Sequence, residues 1–108
     1  MLQKNVKNTF YLKGCPYMTK NILKTDYREL VSRLIKSEMS KRKIRYEDLS
    51  QSLAEVGTIQ TSANLRNKIN RGIMGADLFI QLILVLNVKQ IDRETLVDIA
   101  SSLNENQE

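Results

Sequence analysis

Two short amphipathic segments, separated by a turn and closed by a glycine, constrain the fold of this chain more than any other feature. Residues 46–55 carry Leu49 and Leu53 one helical turn apart, and residues 62–71 combine one apolar stripe with an opposite side of mostly amide and basic residues. Gly72 follows the second segment directly, and glycine is the usual residue where a helix stops. The pattern predicts two short helices in succession, joined by a turn.

Two further amphipathic helices are predicted on either side of this pair. Residues 27–39 place apolar side chains at intervals of three and four, and Asp26 with Glu29 has the spacing of a capping box at the start of a helix. Residues 93–103 repeat the helical spacing, and Asp92 is positioned to cap them. The sequence therefore predicts an all-α domain.

Residues 76–88 are apolar almost throughout. A helix that is apolar on nearly all sides must be covered on nearly all sides, either at the centre of a core or in a subunit interface. The same run is also compatible with a buried strand. We interpret it as the fourth of five helices because its neighbours are helical and Asn87 suits the position just after a helix. The predicted core consists of Leu30, Leu34, Leu49, Leu53, Leu65, Ile69, Phe79 and Leu82.

The chain divides into three parts. Residues 1–24 hold five lysines, no acidic residue and no helical periodicity, and we interpret them as a basic N-terminal arm with a possible short strand at 9–12. Residues 25–103 form the predicted helical domain, which at this length has room for one modest core. Residues 104–108 are a polar tail. Met18 is an alternative start for the chain, which would make the preceding residues a mis-assigned leader.

Positive charge is concentrated in the first half of the sequence. The chain carries a net charge of +5 and a pI near 9.5, which weakly favours polyanionic partners. Residues 1–45 hold twelve basic and three acidic residues, residues 46–71 hold three of each, and residues 72–108 hold two basic and six acidic residues. We expect the N-terminal part to face a polyanion and the acidic C-terminal part to lie away from it.

Catalysis has little support in the residue types present. The chain has no histidine, which removes the commonest general base and metal ligand, and Cys15 therefore has no histidine partner to activate its thiol. There is no cysteine spacing for zinc and no glycine-rich phosphate loop, so we expect neither an enzyme nor a cofactor. A single cysteine fits the reducing cytoplasm. The first twenty residues lack the continuous apolar stretch of a secretory signal, and no apolar run reaches the length of a membrane span.

The five predicted helices, with a turn motif formed by the second and third, resemble the λ repressor/Cro-like helix-turn-helix fold over roughly residues 26–103. The run 65–72, followed by Phe79 and Gln81, is similar to an uncharacterised bacterial family known as a domain of unknown function. The connection at 57–61 is longer than the usual three to four residues. The resemblance implies that residues 62–71 act as a recognition helix in the major groove of DNA.

The resemblance also divides the polar residues into two classes of contact. Asn and Arg side chains pair bidentately with adenine and guanine, and the N-terminal half of a recognition helix meets the base edges. The expected base contacts are Ser62, Asn64, Arg66 and Asn67. The expected phosphate contacts are Lys43, Arg45, Tyr46, Lys68, Asn70 and Arg71. A solvated polar face remains the alternative for residues 62–71, and the basic run 41–43 could equally compensate a helix dipole.

Two classes of function follow from these expectations. The first is a sequence-specific protein that binds double-stranded DNA and regulates transcription, as a homodimer formed through its C-terminal half, since paired half-sites extend what one short helix can read. The second is a protein–protein interaction module on the same helix-turn-helix scaffold. The excess apolar surface of residues 76–88 and the acidic C-terminal helix slightly favour this alternative.

Overall fold

Five α-helices account for the regular secondary structure of residues 25–107, which are the residues that this computed structural model describes. They are α1 (Tyr27–Arg42), α2 (Tyr46–Glu55), α3 (Ser62–Arg71), α4 (Ala76–Val85) and α5 (Arg93–Gln107). No strand occurs in this part of the chain, so the all-α prediction is confirmed for it and the apolar run is helical. The predicted arm, its strand at 9–12 and the alternative start at Met18 lie outside the described residues.

Short polar side chains begin three of the helices, two of them at the caps that the sequence predicts, Asp26 and Asp92. The Asp26 carboxylate accepts hydrogen bonds from the backbone N–H groups at the start of α1, at 3.1 and 3.4 Å. Thr61 Oγ1 accepts from the backbone N–H of Asn64 at 3.0 Å, and Asp92 Oδ1 accepts from that of Thr95 at 2.9 Å. Each cap satisfies backbone donors that have no partner within the helix, which fixes where α1, α3 and α5 start.

The main core lies between the first four helices. Its buried members are Ile35, Met39, Leu49, Leu53, Leu65, Ile69, Leu78, Leu82 and Leu86. Full burial of one such side chain contributes about 1.5–3 kcal/mol. Five of the eight predicted core residues belong to this set, and Phe79 is partly buried against it. The two short helices of the predicted turn motif are therefore both fixed to the same core.

The other two predicted core residues, Leu30 and Leu34, belong to α1, whose apolar surface has two partners. α1 packs against both α3 and α5. Ile35 and Met39 join the main core, whereas Leu34 is buried outside that cluster and Leu30 is only half-buried. The prediction of one core containing both leucines was wrong, because spacing along a helix shows which residues are buried but not which neighbour covers them.

α5 packs along α1 and also contacts Thr25, which lies just before the start of α1. Thr25 is buried, and its Oγ1 lies 3.3 Å from the carbonyl oxygen of Ala100 and 3.1 Å from Oδ1 of Asn104. α5 continues through Gln107, so most of the predicted polar tail belongs to the last helix. None of the helices in the described part of the chain is both long and apolar enough to cross a lipid bilayer.

Candidate nucleic-acid interface

α3 has two chemically different sides. Leu65 and Ile69 are fully buried where α3 packs against α1 and α2. Its exposed polar residues are Asn64, Arg66, Asn67, Asn70 and Arg71. Ser62 and Lys68, at the border between the two sides, are half-buried. The helix therefore presents amide and guanidinium groups to solvent from a rigidly packed backbone.

The connection between α2 and α3 is long but well ordered by hydrogen bonds. It comprises residues 56–61, which agrees with the lengthened turn that the sequence indicates. The backbone reverses at Gly57, where φ is +92°, and Thr58 N–H donates back to the last turn of α2 at 2.9 Å. The Ser50 hydroxyl donates to the carbonyl oxygen of Gln60. These bonds fix the start of α3 relative to α2.

A basic groove of about 490 Å³ opens beside α3, where α1, α2 and α3 approach one another. Its charged lining residues are Lys36 from α1, Arg45 and Glu47 at the start of α2, and Arg66 from α3. Tyr46 lines it as well. Three cations face one anion, so the lining carries net positive charge. A groove with this lining attracts an anionic group such as a phosphate.

Arg66 is stacked on an aromatic ring at this groove. Its guanidinium carbon lies 5.1 Å from the ring centroid of Tyr46, which itself packs against the main core. A cation–π contact at such an exposed site contributes about 0.5–1 kcal/mol. The stacking holds Arg66 on the groove side of α3, beside Arg45, whereas the exposed Asn64 and Asn67 do not line the groove.

Arg45 combines a fixed backbone with an open side chain. Its backbone N–H donates to Asp48 Oδ2 at 3.0 Å, and its Nε lies 3.6 Å from the same oxygen. The side chain nevertheless stays 76% exposed. The first-turn carboxylate of Asp48 thus closes the N-terminus of α2 and leaves most of the Arg45 guanidinium available at the groove.

Two residues of the basic run 41–43 contact Glu38, and the third, Lys43, lies at the end of α1. Lys41 Nζ lies 3.4 Å from a carboxylate oxygen of Glu38, and Arg42 binds the other oxygen through Nη1. Arg42 Nη2 also donates to the carbonyl oxygen of Asn87 at 3.2 Å, which joins the end of α1 to the end of α4. Lys43 ends α1 with a positive φ of 55° and is exposed.

The Glu38 carboxylate at the centre of this cluster is nearly buried. The hydrogen bond from Arg42 lowers its pKa below the ordinary value for glutamate, burial opposes that effect, and Lys41 adds to the lowering. The charged form of Glu38 is therefore stabilised in the folded protein. Lys41 and Arg42 thus both pair with Glu38, a contact that the sequence did not indicate.

The structure brings together only some of the predicted phosphate contacts. Arg45 and Tyr46 meet at the groove, while Lys43, Asn70 and Arg71 are exposed elsewhere on the surface. Lys68 is half-buried and its Nζ donates to Oε1 of Gln60 at 3.4 Å, so its side chain is directed to the turn.

Lys36 is a groove residue that sequence reasoning missed. It lies on α1, outside the turn motif, and is exposed between the buried neighbours Ile35 and Met39. The excess of basic residues in 1–45 indicates a positive surface but does not select one lysine. Only the packing of α1 across α3 brings Lys36 to the same groove as Arg66.

Comparison with known proteins identifies a family. Residues 27–91 match the family described as Domain of unknown function (DUF6471), and since this match covers more than half of the chain, the protein belongs to that family. The matched residues include α1 to α4, and with them the α2–α3 pair and the whole basic groove. No curated protein and no solved structure matches the chain.

Proposed function

We propose that this protein is a sequence-specific DNA-binding protein of the λ repressor/Cro-like helix-turn-helix class, with α3 as the recognition helix, and that it acts as a transcriptional regulator. The observation that carries the proposal is the position of the exposed amide side of α3 directly beside a basic groove. A recognition helix in the major groove needs such a polar side, and the flanking phosphates need nearby cations.

Base reading is assigned to the exposed residues of the first half of α3. Asn64 and Asn67 are exposed and can pair bidentately with adenine. Ser62, at the first position of the helix, can donate to or accept from a base edge. A polar side of α3 that only faces solvent would contain the same residue types. The cations of the adjoining groove are the reason to prefer DNA binding over that alternative.

Phosphate binding is assigned to the basic groove. Lys36, Arg45 and Arg66 come from three different helices and line one concave surface, which suits a single phosphate of the DNA backbone. Arg66, which the sequence assigns to a base, fits this role better because Tyr46 holds it at the groove. The exposed Arg71 at the other end of α3 would meet a neighbouring phosphate.

The charge distribution supports one orientation on DNA. Residues 72–108, which include α4 and α5, hold six acidic and two basic residues. Phosphates repel such a surface, whereas the groove and α3 attract them. DNA would therefore approach from the side of α3 and leave α4 and α5 facing away.

A protein–protein interaction module is the second candidate, and one observation favours it. Ile80 and Leu84, one helical turn apart on α4, are 55% and 71% exposed, and contiguous exposed apolar surface can mark a protein–protein contact. An interaction module would use this surface and need no DNA affinity. A DNA-binding protein would use α3 and the groove, whatever happens at α4.

Direct DNA binding separates the two candidates. Fluorescence anisotropy with genomic fragments, including the region upstream of the protein's own gene, is measured at two salt concentrations. We expect salt-dependent binding that the double variant Arg66→Ala/Arg71→Ala weakens. The control Arg93→Ala, set against Arg71→Ala alone, removes the same single charge from an exposed position on the acidic half and should change affinity little. No binding by the folded protein, or equal losses in Arg71→Ala and Arg93→Ala, would contradict the proposal.

A further inference from the structure

The outer side of α4 is apolar and uncovered. Leu82 is fully buried, and Ile80 and Leu84 lie on the opposite side of the helix, since positions two residues away point about 160° from it. They are four residues apart and therefore adjacent on the helix surface. Asp77, near the N-terminal end of α4, and Asn87, two residues beyond its last residue, are exposed as well.

No described helix covers the apolar stripe formed by Ile80 and Leu84. α4 packs against α2 through its buried side, whereas α5 turns away and packs along α1. The helix that follows α4 in sequence thus leaves the outer side of α4 open. Covering two adjacent aliphatic side chains with another apolar surface removes them from water, which is favourable.

We propose that a second copy of this chain covers the stripe, with the two α4 helices antiparallel about a twofold axis. In that arrangement Ile80 of each chain meets Leu84 of the partner subunit, so the apolar pair is self-complementary. The axis also places the N-terminal end of α4 next to the C-terminal end of the partner's α4. Asp77 is exposed at the first of these ends, and Lys89 is exposed just beyond the second. Opposite charges then meet at both rims of the apolar contact.

This inference rests in part on the proposed function. One ten-residue recognition helix reads only a few base pairs, and twofold dimers extend the reading by placing two such helices on half-sites about 34 Å apart. None of the residues that line the basic groove belongs to α4, which packs against α2, so pairing through the outer side of α4 uses neither α3 nor the groove.

Sedimentation velocity of the full chain without DNA tests the pairing. We expect the unmodified protein to be a dimer. Each of two single variants, Ile80→Glu and Leu84→Lys, should raise the dissociation constant of the dimer by roughly 100-fold or more, because each places a charge against an apolar side chain of the partner. Ile59→Glu is the matched control, because Ile59 is 79% exposed but lies in the α2–α3 connection. It should leave the dimer intact.

Mixing the two charged variants tests the antiparallel arrangement itself. In the mixed dimer the new carboxylate meets the new ammonium, while the remaining Leu84 and Ile80 still meet each other. We therefore expect the mixture to dimerise although neither variant does so alone. If circular dichroism shows that a charged variant has lost its helices, Ile80→Gln and Leu84→Gln replace it and should also weaken the dimer.

Three results would overturn the inference. They are an unmodified protein that is monomeric, variants at Ile80 or Leu84 that dimerise as strongly as the unmodified protein, and a mixture of the two folded charged variants that stays monomeric. All of these are read without DNA. A monomer that binds DNA would refute the α4 pairing alone, and a dimer without DNA affinity would refute only the proposed function.

Discussion

Gly72, which ends α3, lies directly against the backbone of Arg28 in the first turn of α1. A Cβ atom added to Gly72 would overlap the carbonyl oxygen of Arg28, and Gly72 also has a positive φ of 65°. Glycine is thus required here both for its conformation and for its lack of a side chain. The close approach fixes how the proposed recognition helix sits on α1.

Gly72→Ala should therefore destabilise the fold strongly. The left-handed conformation costs a residue with a Cβ roughly 1–2 kcal/mol, and the overlap with Arg28 adds roughly 1–3 kcal/mol. We expect a loss of about 2–5 kcal/mol in the free energy of unfolding, measured by urea denaturation. Gly57→Ala is the control, because Gly57 also has a positive φ but open space around it. Equal losses in the two variants would show that the contact with Arg28 contributes nothing.

Acid should weaken the fold through Glu38. The Arg42 hydrogen bond keeps the pKa of Glu38 below its ordinary value in the folded state, so the unfolded chain binds the proton more readily. The stabilisation is complete above the unfolded value of about 4.3 and is lost as pH falls through the lower, folded value. Glu38→Gln should therefore flatten the pH dependence of the unfolding free energy in this acidic range.

The control for this titration is Glu94→Gln, which removes an exposed carboxylate from α5. It should keep the acid-dependent loss of stability that the unmodified protein shows. Urea denaturation over a series of pH values gives all three curves. A Glu38→Gln curve parallel to that of the unmodified protein would mean that the contact with Arg42 does not stabilise the fold.

The helices of the turn motif could be predicted closely from the sequence, because several local signals agree there. The apolar spacing of α3 runs from Leu65 to Ile69, Thr61 caps one end and Gly72 ends the other. The bounds of α2 and α3 accordingly match the expected 46–55 and 62–71. For Leu30 and Leu34 the sequence held no signal of which neighbour, α3 or α5, would cover each residue.

The basic groove could not be predicted because it depends on how three helices pack. Lys36 and Arg66 are thirty positions apart in sequence and meet only through the packing of α1 on α3. The stacking of Arg66 on Tyr46 is likewise a contact between α2 and α3. The residue types indicated that basic and amide side chains could bind nucleic acid. Which of these side chains lie in the groove and which lie on the open surface of α3 depends on the fold.

The ring of Tyr46, rather than its hydroxyl, should matter for DNA binding. If stacking holds Arg66 on a phosphate, Tyr46→Leu keeps apolar packing, loses the cation–π contact and should weaken DNA affinity roughly two- to fivefold, corresponding to about 0.5–1 kcal/mol. Tyr46→Phe keeps the ring and should bind nearly as well as the unmodified protein. If Tyr46→Phe loses as much affinity as Tyr46→Leu, the hydroxyl itself binds the phosphate, as the sequence alone suggested.

The two classes of proposed contact on α3 should separate under mutation. Arg71→Ala removes an exposed cation and should weaken binding to all DNA sequences alike, with the slope of log K against log salt reduced by about 1. Asn67→Ala removes an exposed amide and no charge, so it should cost about 1–3 kcal/mol on the preferred site only and leave the slope unchanged. Titrations on a preferred and a scrambled fragment at several salt concentrations measure both effects.

Both side chains are exposed, so neither change should unfold the helix. If neither variant, nor the combined Arg66, Asn67 and Arg71 substitution, alters DNA affinity in a folded protein, α3 is not a recognition helix.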